Sequence, residues 1–412
     1  MRVLITSSRM PFALDAIRKL GETGHEVFAC DSYAASPGSH SRYLTGHFTT
    51  PAASADPEQF ASDVERIAGV NQIDVVVPMF EEVFYLAAQH ERISAVTRLY
   101  APPFRTLAQV HDKGTFQELC DRLEIRTPRT VLAHTRKELD EAIGRFPEYF
   151  ARAAFSRGGV GLLTNTGPLA GHLTRDDCHP TEANPWLVQE FVGGPMHCTY
   201  SALHDGKVAS HMSYRAPRQW EHSTGIQFLS VDPEDTLPTV ERLGAELGWE
   251  GQMSLDFIET SEGLVMIECN PRPTDGILLM EPEELERGLL SPQEEALLVP
   301  PGREQQLDFA VFAQIFKEPL REAPKTIHDL AKIPGTDKGW RDALPKLYSF
   351  LALGRFERLS LRDREQLFVA MADGITWDGQ AIPGLPADDA AYLAKLTGDE
   401  LAMNDGQHRR RT

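Results

Sequence analysis

The sequence predicts an α/β chain with an N-terminal doubly wound parallel sheet, a middle region of antiparallel strands and a mostly helical C-terminal extension. Three observations predict this. Short buried strands alternate with helical periodicity near the start. Longer alternating strands, separated by turn residues, fill the middle. After about residue 310 the pattern turns helical.

Val3-Leu4-Ile5 reads as a short buried strand, and Ala13 to Leu20 has helical spacing with Gly24 as its stop. Glu26 to Cys30 is a second strand ending at Asp31, and Ile73 to Val77 a third ending at Pro78. Such a sheet gathers ligands at the carboxyl ends of its strands, where Thr6-Ser7-Ser8-Arg9, Asp31 and Glu81-Glu82 fall. The glycine fingerprint of dinucleotide binding is missing after the first strand. A second segment opens near His111-Asp112-Lys113 with an amphipathic helix through Leu119, Cys120 and Leu123, and Thr127-Pro128 then breaks the chain into short strands. Tyr149 to Ala154 is one strand, Trp186 to Val192 another, and Lys207 to Met212 part of an antiparallel region. Glu241 to Leu247 reads as a helix, as do Leu344 to Phe350 and Arg364 to Met371. The last quarter carries no catalytic constellation and reads as a packing or oligomerisation appendage, which admits a homodimer.

A length of 412 residues allows two to four domains. A net charge of −19 argues against a nucleic-acid partner, because phosphate backbones want a basic surface. Arg409-Arg410-Arg411 is too short and too terminal to change that. Five scattered cysteines without C-x-x-C spacing suggest reduced thiols in the cytoplasm rather than a zinc site or disulfide frame. No signal peptide is visible, and the apolar runs are too short for a membrane partner.

Met253 to Ile258 and Leu264 to Asn270 alternate as strands, with Glu259 to Gly263 as the turn between them. Folding this hairpin about Glu262 sets Asp256 opposite Glu268, with Asn270 two residues along the same face. Like charges so opposed destabilise a strand pair, which argues for a cation between them. Oxygen-only ligands suit Mg²⁺. Upstream, a strand carrying Arg152 runs into Gly158-Gly159-x-Gly161, whose backbone N–H groups could cradle anionic oxygens. By itself that loop is better read as a plain hairpin turn; Arg152 on the strand, Lys113 upstream and the carboxylate hairpin downstream raise the anion reading. Gln189-Glu190-Phe191-Val192 ends at a turn, where backbone groups can bind an adenine edge, although an ordinary buried strand would read the same way.

In order and spacing, Asp112-Lys113, Arg152 with its glycine loop, Gln189-Glu190-Phe191-Val192, Asp256, and Glu268-x-Asn270-Pro271-Arg272 resemble the ATP-grasp superfamily. The likeness is to its carboxylate–amine ligases and carbamoyl-phosphate-synthase-like members, over roughly residues 1 to 300. It implies a doubly wound domain at 1–108, a lid at 109–188, an α+β metal-bearing part at 189–310 and a helical extension at 311–412. Lys113 and Arg152 would touch ATP phosphates, capped by Gly158, Gly159 and Gly161. Gln189, Glu190, Phe191 and Val192 would hold adenine. Asp256, Glu268 and Asn270 would bind two Mg²⁺, with Mn²⁺ as the substitute. Arg272 would face the transferred phosphoryl group and the reacting carboxyl. Two departures stand out: Arg152 replaces the lysine of many members, and Met196 sits where an acid usually grips the ribose.

The activity implied is an ADP-forming ligase that joins a small-molecule carboxylate to an amine through an acyl phosphate. A bicarbonate-using carboxylase or carbamoyl-phosphate-like synthase is the alternative within enzymes. A nucleotide-binding sensor without turnover is the alternative outside them. On the substrate side, Ser213 to Gly225 reads as a segment between strands, with Arg215 binding a carboxylate or a tetrahedral intermediate. Arg218 and His222 are equally surface charges on a loop. Thr274-Asp275-Gly276 could shape the same pocket. His111 reads as a locally satisfied histidine rather than a ligand, and Cys269 as a small buried hydrophobe facing away from Glu268 and Asn270.

Overall fold

A computed structural model describes residues 1–154, 161–167, 169–182, 184–220, 224–315, 323–336, 342–363 and 367–397. The chain divides into two units.

The first unit holds Met1–Pro102, His197–Ser254 and Arg272–Thr376. Its parallel sheet comprises β1 (Arg2–Ile5), β2 (Glu26–Asp31), β3 (Leu44–Thr49), β4 (Val75–Val77) and β5 (Arg98–Leu99), in the order β3-β2-β1-β4-β5. β1 and β4 run in register, Val3 beside Val75 and Ile5 beside Val77. The helix Pro11–Glu22 starts on a proline, whose fixed φ suits the first helical position, and the chain leaves it through Gly24 at φ +88°. Its apolar face (Phe12, Ala13, Ala16, Ile17 and Leu20) joins Val3, Ile5, Val27, Val75 and Val77 in one core. Asp56 caps the helix Pro57–Asn71, accepting from the Gln59 N–H, and Gln72 ends it in the left-handed region.

The second unit holds Pro103–Met196, Leu255–Pro271 and Trp377–Thr412. Its sheet orders β6 (Thr130–Ala133), β9 (Trp186–Glu190), β7 (Tyr149–Ala153) and β8 (Leu163–Thr164). Leu139, Ala142, Ile143, Tyr149, Trp186 and Val188 make its separate core.

Antiparallel strands β10 (Met196–His204), β11 (Lys207–Trp220) and β12 (Thr224–Val231) follow β9, and β13 (Gly251–Thr260) pairs with β14 (Gly263–Asn270). Beyond them, β15 (Leu297–Leu298) runs beside β11 and β16 (Glu304–Gln306) beside β12. The segment Ser213 to Trp220, expected between strands, is the second half of β11. The register against β12 is irregular between Arg215 and Arg218, and Pro217 sits in that irregularity. A proline is tolerated there because no ladder hydrogen bond is asked of it. Arg218 donates to the Thr326 hydroxyl at 2.7 Å, so it is not a loose loop charge. His222 lies outside the described residues.

The helical extension is shared by both units. In the first, Asp342 accepts from Arg18 Nε at 2.7 Å, the Ser41 hydroxyl at 2.9 Å and the Arg42 N–H at 2.9 Å. The Tyr33 ring carries Arg9 on it at 4.0 Å and Arg355 at 3.9 Å, beside Phe356 of the helix Leu344–Asp363. In the second, Trp377 meets Phe104 edge-on and lies against His111. No described helix is long and apolar enough to cross a membrane. All five cysteines are buried and none forms a disulfide.

Candidate active site

The second unit holds Lys113, Arg152, Asp256, Glu268 and Asn270 among the residues that the sequence singles out. Asp112 caps the helix Lys113–Arg122 through the Thr115 N–H at 2.8 Å, which fixes Lys113 at its first turn. Lys113 is buried, its ammonium 3.4 Å from the Ala154 carbonyl. Arg152, next to last on β7, reaches β14: Nη1 donates to Glu268 Oε2 at 3.0 Å and Nη2 to the Ile267 carbonyl at 3.2 Å. Among the described residues its buried Nε has no hydrogen-bond partner. Asn270 Nδ2 donates to Asp256 Oδ2 at 3.1 Å, so those two side chains share a face of the β13–β14 pair. Glu268, two residues from Asn270, shares it by strand alternation, and Cys269 is buried on the other side.

The electrostatics follow from this geometry. Burial alone would raise the Glu268 carboxyl. Arg152, and after it Lys113, instead bring it from 4.5 to about 2. Its ionised form is therefore favoured more in the folded chain than in the unfolded one. That contribution to stability is complete above pH 4.5 and is lost as the pH falls towards 2. Arg152→Met should remove most of it. Urea midpoints measured between pH 5 and 2 should fall less steeply in the variant, by about 2 kcal/mol after allowing for solvent screening.

Among the described residues no three His, Cys, Asp or Glu side chains converge as a metal site. The donor set of the hairpin is instead two carboxylates and an amide. The Asn270 amide gives its nitrogen to Asp256, which leaves its carbonyl oxygen for a cation. Oxygen donors of this kind fit Mg²⁺, which keeps several positions for water and phosphate.

The remaining residues fall as follows. Gln189 is buried on β9 and donates to the Thr130 hydroxyl at 3.0 Å. Glu190 ends that strand, with its carboxylate held by Arg129 Nε at 2.6 Å. Phe191 and Val192 lie past the strand's end, two residues earlier than the periodicity suggested, and Phe191 is exposed. Gly161 has φ +74°, with no atom of the described residues within 4 Å of the position a Cβ would take. Gly158 and Gly159 lie outside the described residues. Met196 is the exposed first residue of β10. Arg272 belongs to the first unit, where it pairs with Glu81. In the same unit Arg215 is half-buried at the start of the β11 irregularity. Thr274 joins the hydroxyls of Tyr214 and Ser254, each at 3.0 Å. The contacts of Arg152 with Glu268 and of Arg272 with Glu81 had no local signal in the sequence.

No family model matches the chain. The carbamoyl phosphate synthase large chain of Thermus thermophilus is 27% identical over 195 residues, covering 43% of this chain and 18% of that protein. The chain thus spans about a fifth of the curated relatives it matches. Among solved structures, the biotin carboxylase domain of Hydrogenobacter thermophilus 2-oxoglutarate carboxylase, in complex with MgADP and bicarbonate, aligns with a TM-score of 0.55 and 13% identity, over 72% of this chain and 71% of that one. Phosphoribosylamine–glycine ligase from Thermotoga maritima aligns with a TM-score of 0.54 and 17% identity, over 74% and 78%. In fold and in sequence the chain is similar to proteins of the ATP-grasp superfamily. Within it, the curated relatives are carbamoyl phosphate synthase large chains, and the structural neighbours are ATP-grasp ligases and carboxylases.

Proposed function

We propose that the chain is an ATP-dependent, ADP-forming ligase that joins a small-molecule carboxylate to an amine through an acyl phosphate. The observation that carries this reading is the face shared by Asp256, Glu268 and Asn270, with Arg152 and Lys113 beside it. On this reading 109–188 acts as a lid and 189–310 as the metal-bearing part, flanked by 1–108 and 311–412.

Asp256, Glu268 and Asn270 would hold Mg²⁺, which when bound neutralises the charge of the ATP tail. Lys113, Arg152 and the backbone of the glycine loop hold the phosphates. Residues 189–192 hold the adenine. The substrate carboxylate attacks the γ-phosphorus, the bond to the β,γ-bridging oxygen breaks, and ADP leaves. The amine then adds to the acyl carbon, loses a proton and expels phosphate. Charge neutralisation and positioning carry most of the rate in phosphoryl transfer, and Arg272, with Arg215 on the acyl side, supplies both. Because acyl phosphates hydrolyse readily, water has to be kept out during the first step.

A second reading, a carboxylase or carbamoyl-phosphate-like synthase, is favoured by the curated relatives and by the bicarbonate in the Hydrogenobacter complex. The experiment is a screen of carboxylate and amine pairs for phosphate release with ATP and Mg²⁺. Release that needs both an organic acid and an amine is the expected result. Release with bicarbonate alone moves the assignment to the second reading, and ATP binding without release under any condition makes the chain a sensor.

A further inference from the structure

The parallel sheet of the first unit changes the direction of its winding between β1 and β4, as its order β3-β2-β1-β4-β5 shows. Ligands of doubly wound sheets collect outside the carboxyl ends of the strands at such a point. There β4 gives way to Pro78-Met79-Phe80-Glu81-Glu82. Glu82 fixes the turn from inside: its Oε1 accepts from the Met79 N–H at 2.9 Å, from the Phe80 N–H at 3.2 Å and from the Thr6 hydroxyl. The backbone so held presents Phe80 and Glu81, and both meet Arg272. The guanidinium carbon stands 4.4 Å over the Phe80 ring, and Nε lies 3.6 Å from Glu81 Oε1. The Glu81 carboxylate is almost completely buried, at 3% exposure, against 17% for the arginine.

One edge of the guanidinium is thus committed. Nη1 donates to the Pro273 carbonyl at 3.3 Å. Among the described residues Nη2 makes no hydrogen bond. An arginine serving only as a structural counter-ion usually spends its fork on the carboxylate in bidentate fashion. Here, among the described residues, one prong of the fork is spent on the Pro273 carbonyl and Nη2 is left open, while an aromatic face and a carboxylate fix the plane of the group.

We propose that Glu81 is a positioning residue, which holds Arg272 by its Nε edge on the Phe80 ring so that its outer N–H groups are set for the reacting carboxyl and phosphoryl oxygens. This rests on the ligase reading for what Arg272 does, but not for what holds it. Glu81 touches no substrate. Its effect is to remove the conformational search of a long side chain before the anion arrives, which raises the rate of the chemical step rather than nucleotide affinity.

The test uses the full chain with Glu81→Gln, Glu81→Asp and Arg272→Lys. With a pair that supports phosphate release in the native chain, Glu81→Gln should lower kcat about 30-fold and leave KM for ATP within about twofold. Glu81→Asp should recover part of that loss. A structural role would instead lower nucleotide affinity and melting temperature together, without rescue. A second readout does not need turnover: the side-chain Nε–H resonance of Arg272, identified by its disappearance in Arg272→Lys. It should be resolved in the native chain and collapse to the solvent-averaged position in Glu81→Gln. An unchanged resonance, or an unchanged kcat in an active enzyme, overturns the proposal. Absence of turnover with every pair sinks the ligase reading instead, and the resonance still decides whether Glu81 holds the arginine.

Discussion

Asp256→Asn combined with Glu268→Gln is expected to lower Mg²⁺-dependent ADP release by about 10³-fold or more. Phosphoryl transfer asks little covalent work of the protein, so losing the charges that assemble nucleotide and ion removes most of what it supplies. A thousandfold loss corresponds to about 4 kcal/mol of transition-state stabilisation. The double variant keeps the size and hydrogen-bonding shape of both side chains, so the hairpin should survive. One side effect is built into the geometry. Without the Glu268 charge, nothing at that position neutralises Arg152, whose Nη1 points at the Glu268 carboxylate from 3.0 Å. Binding of free ATP should therefore be retained or strengthened while turnover collapses, and isothermal titration with and without Mg²⁺ separates the two. ADP release that persists undiminished would mean the ion is held elsewhere.

The second large effect is expected at Gly194, in the link between β9 and β10. A Cβ built there runs into the Glu259 carbonyl oxygen, with the Glu259 carbonyl carbon at 3.1 Å and Ile258 Cγ2 at 3.0 Å. The contact is backbone on backbone and cannot be relieved by turning a side chain. The Glu259 N–H also donates to the Pro195 carbonyl at 3.0 Å, which holds the two segments together. Gly194→Ala should cost about 2–4 kcal/mol in urea unfolding. Because the link follows directly on residues 189–192, ATP affinity should fall with it. Gly193→Ala is the internal control: its added Cβ meets only the Phe191 ring edge, at an ordinary 3.4 Å. Similar midpoints for the two variants would show that the close approach at Gly194 is not maintained in solution.

What could be read from the sequence, and what could not, follows from how each segment is buried. Around the named residues β13 and β14 alternate, with Asp256 partly open between buried Leu255 and Phe257 and Cys269 buried between partly open Glu268 and Asn270, and the sequence alternates with them, so the shared face of Asp256, Glu268 and Asn270 followed from it. β10 gave no signal. Seven consecutive residues, His197 to Leu203, are buried on both faces, which erases the alternation. The far half of β11 was hidden differently, because Pro217 with Arg215 and Arg218 beside it looks like turn chemistry, although a register irregularity accommodates all three within a strand. In β9 the apolar Phe191 and Val192 extended the apparent strand past its end at Glu190. Partners far apart in the chain leave no local trace. Arg152 was read as a phosphate ligand, and that it rests on Glu268 could only come from the fold.

Asp342 gives the helical extension a meaning its composition does not suggest. Arg18, from the first helix of the chain, is buried to 3% of its side chain, and this one carboxylate neutralises it while also tying down Ser41 and the Arg42 backbone. A fragment trimmed ahead of Asp342 would take away the counter-charge of Arg18 and the acceptor of Ser41 and the Arg42 N–H together, and breaking a buried ion pair by removing one partner costs about 3–5 kcal/mol where the other charge stays buried. The parallel-sheet unit is drawn from three distant stretches of sequence, Met1–Pro102, His197–Ser254 and Arg272–Thr376, so expressing residues 1–108 alone should yield a chain that cannot close on itself.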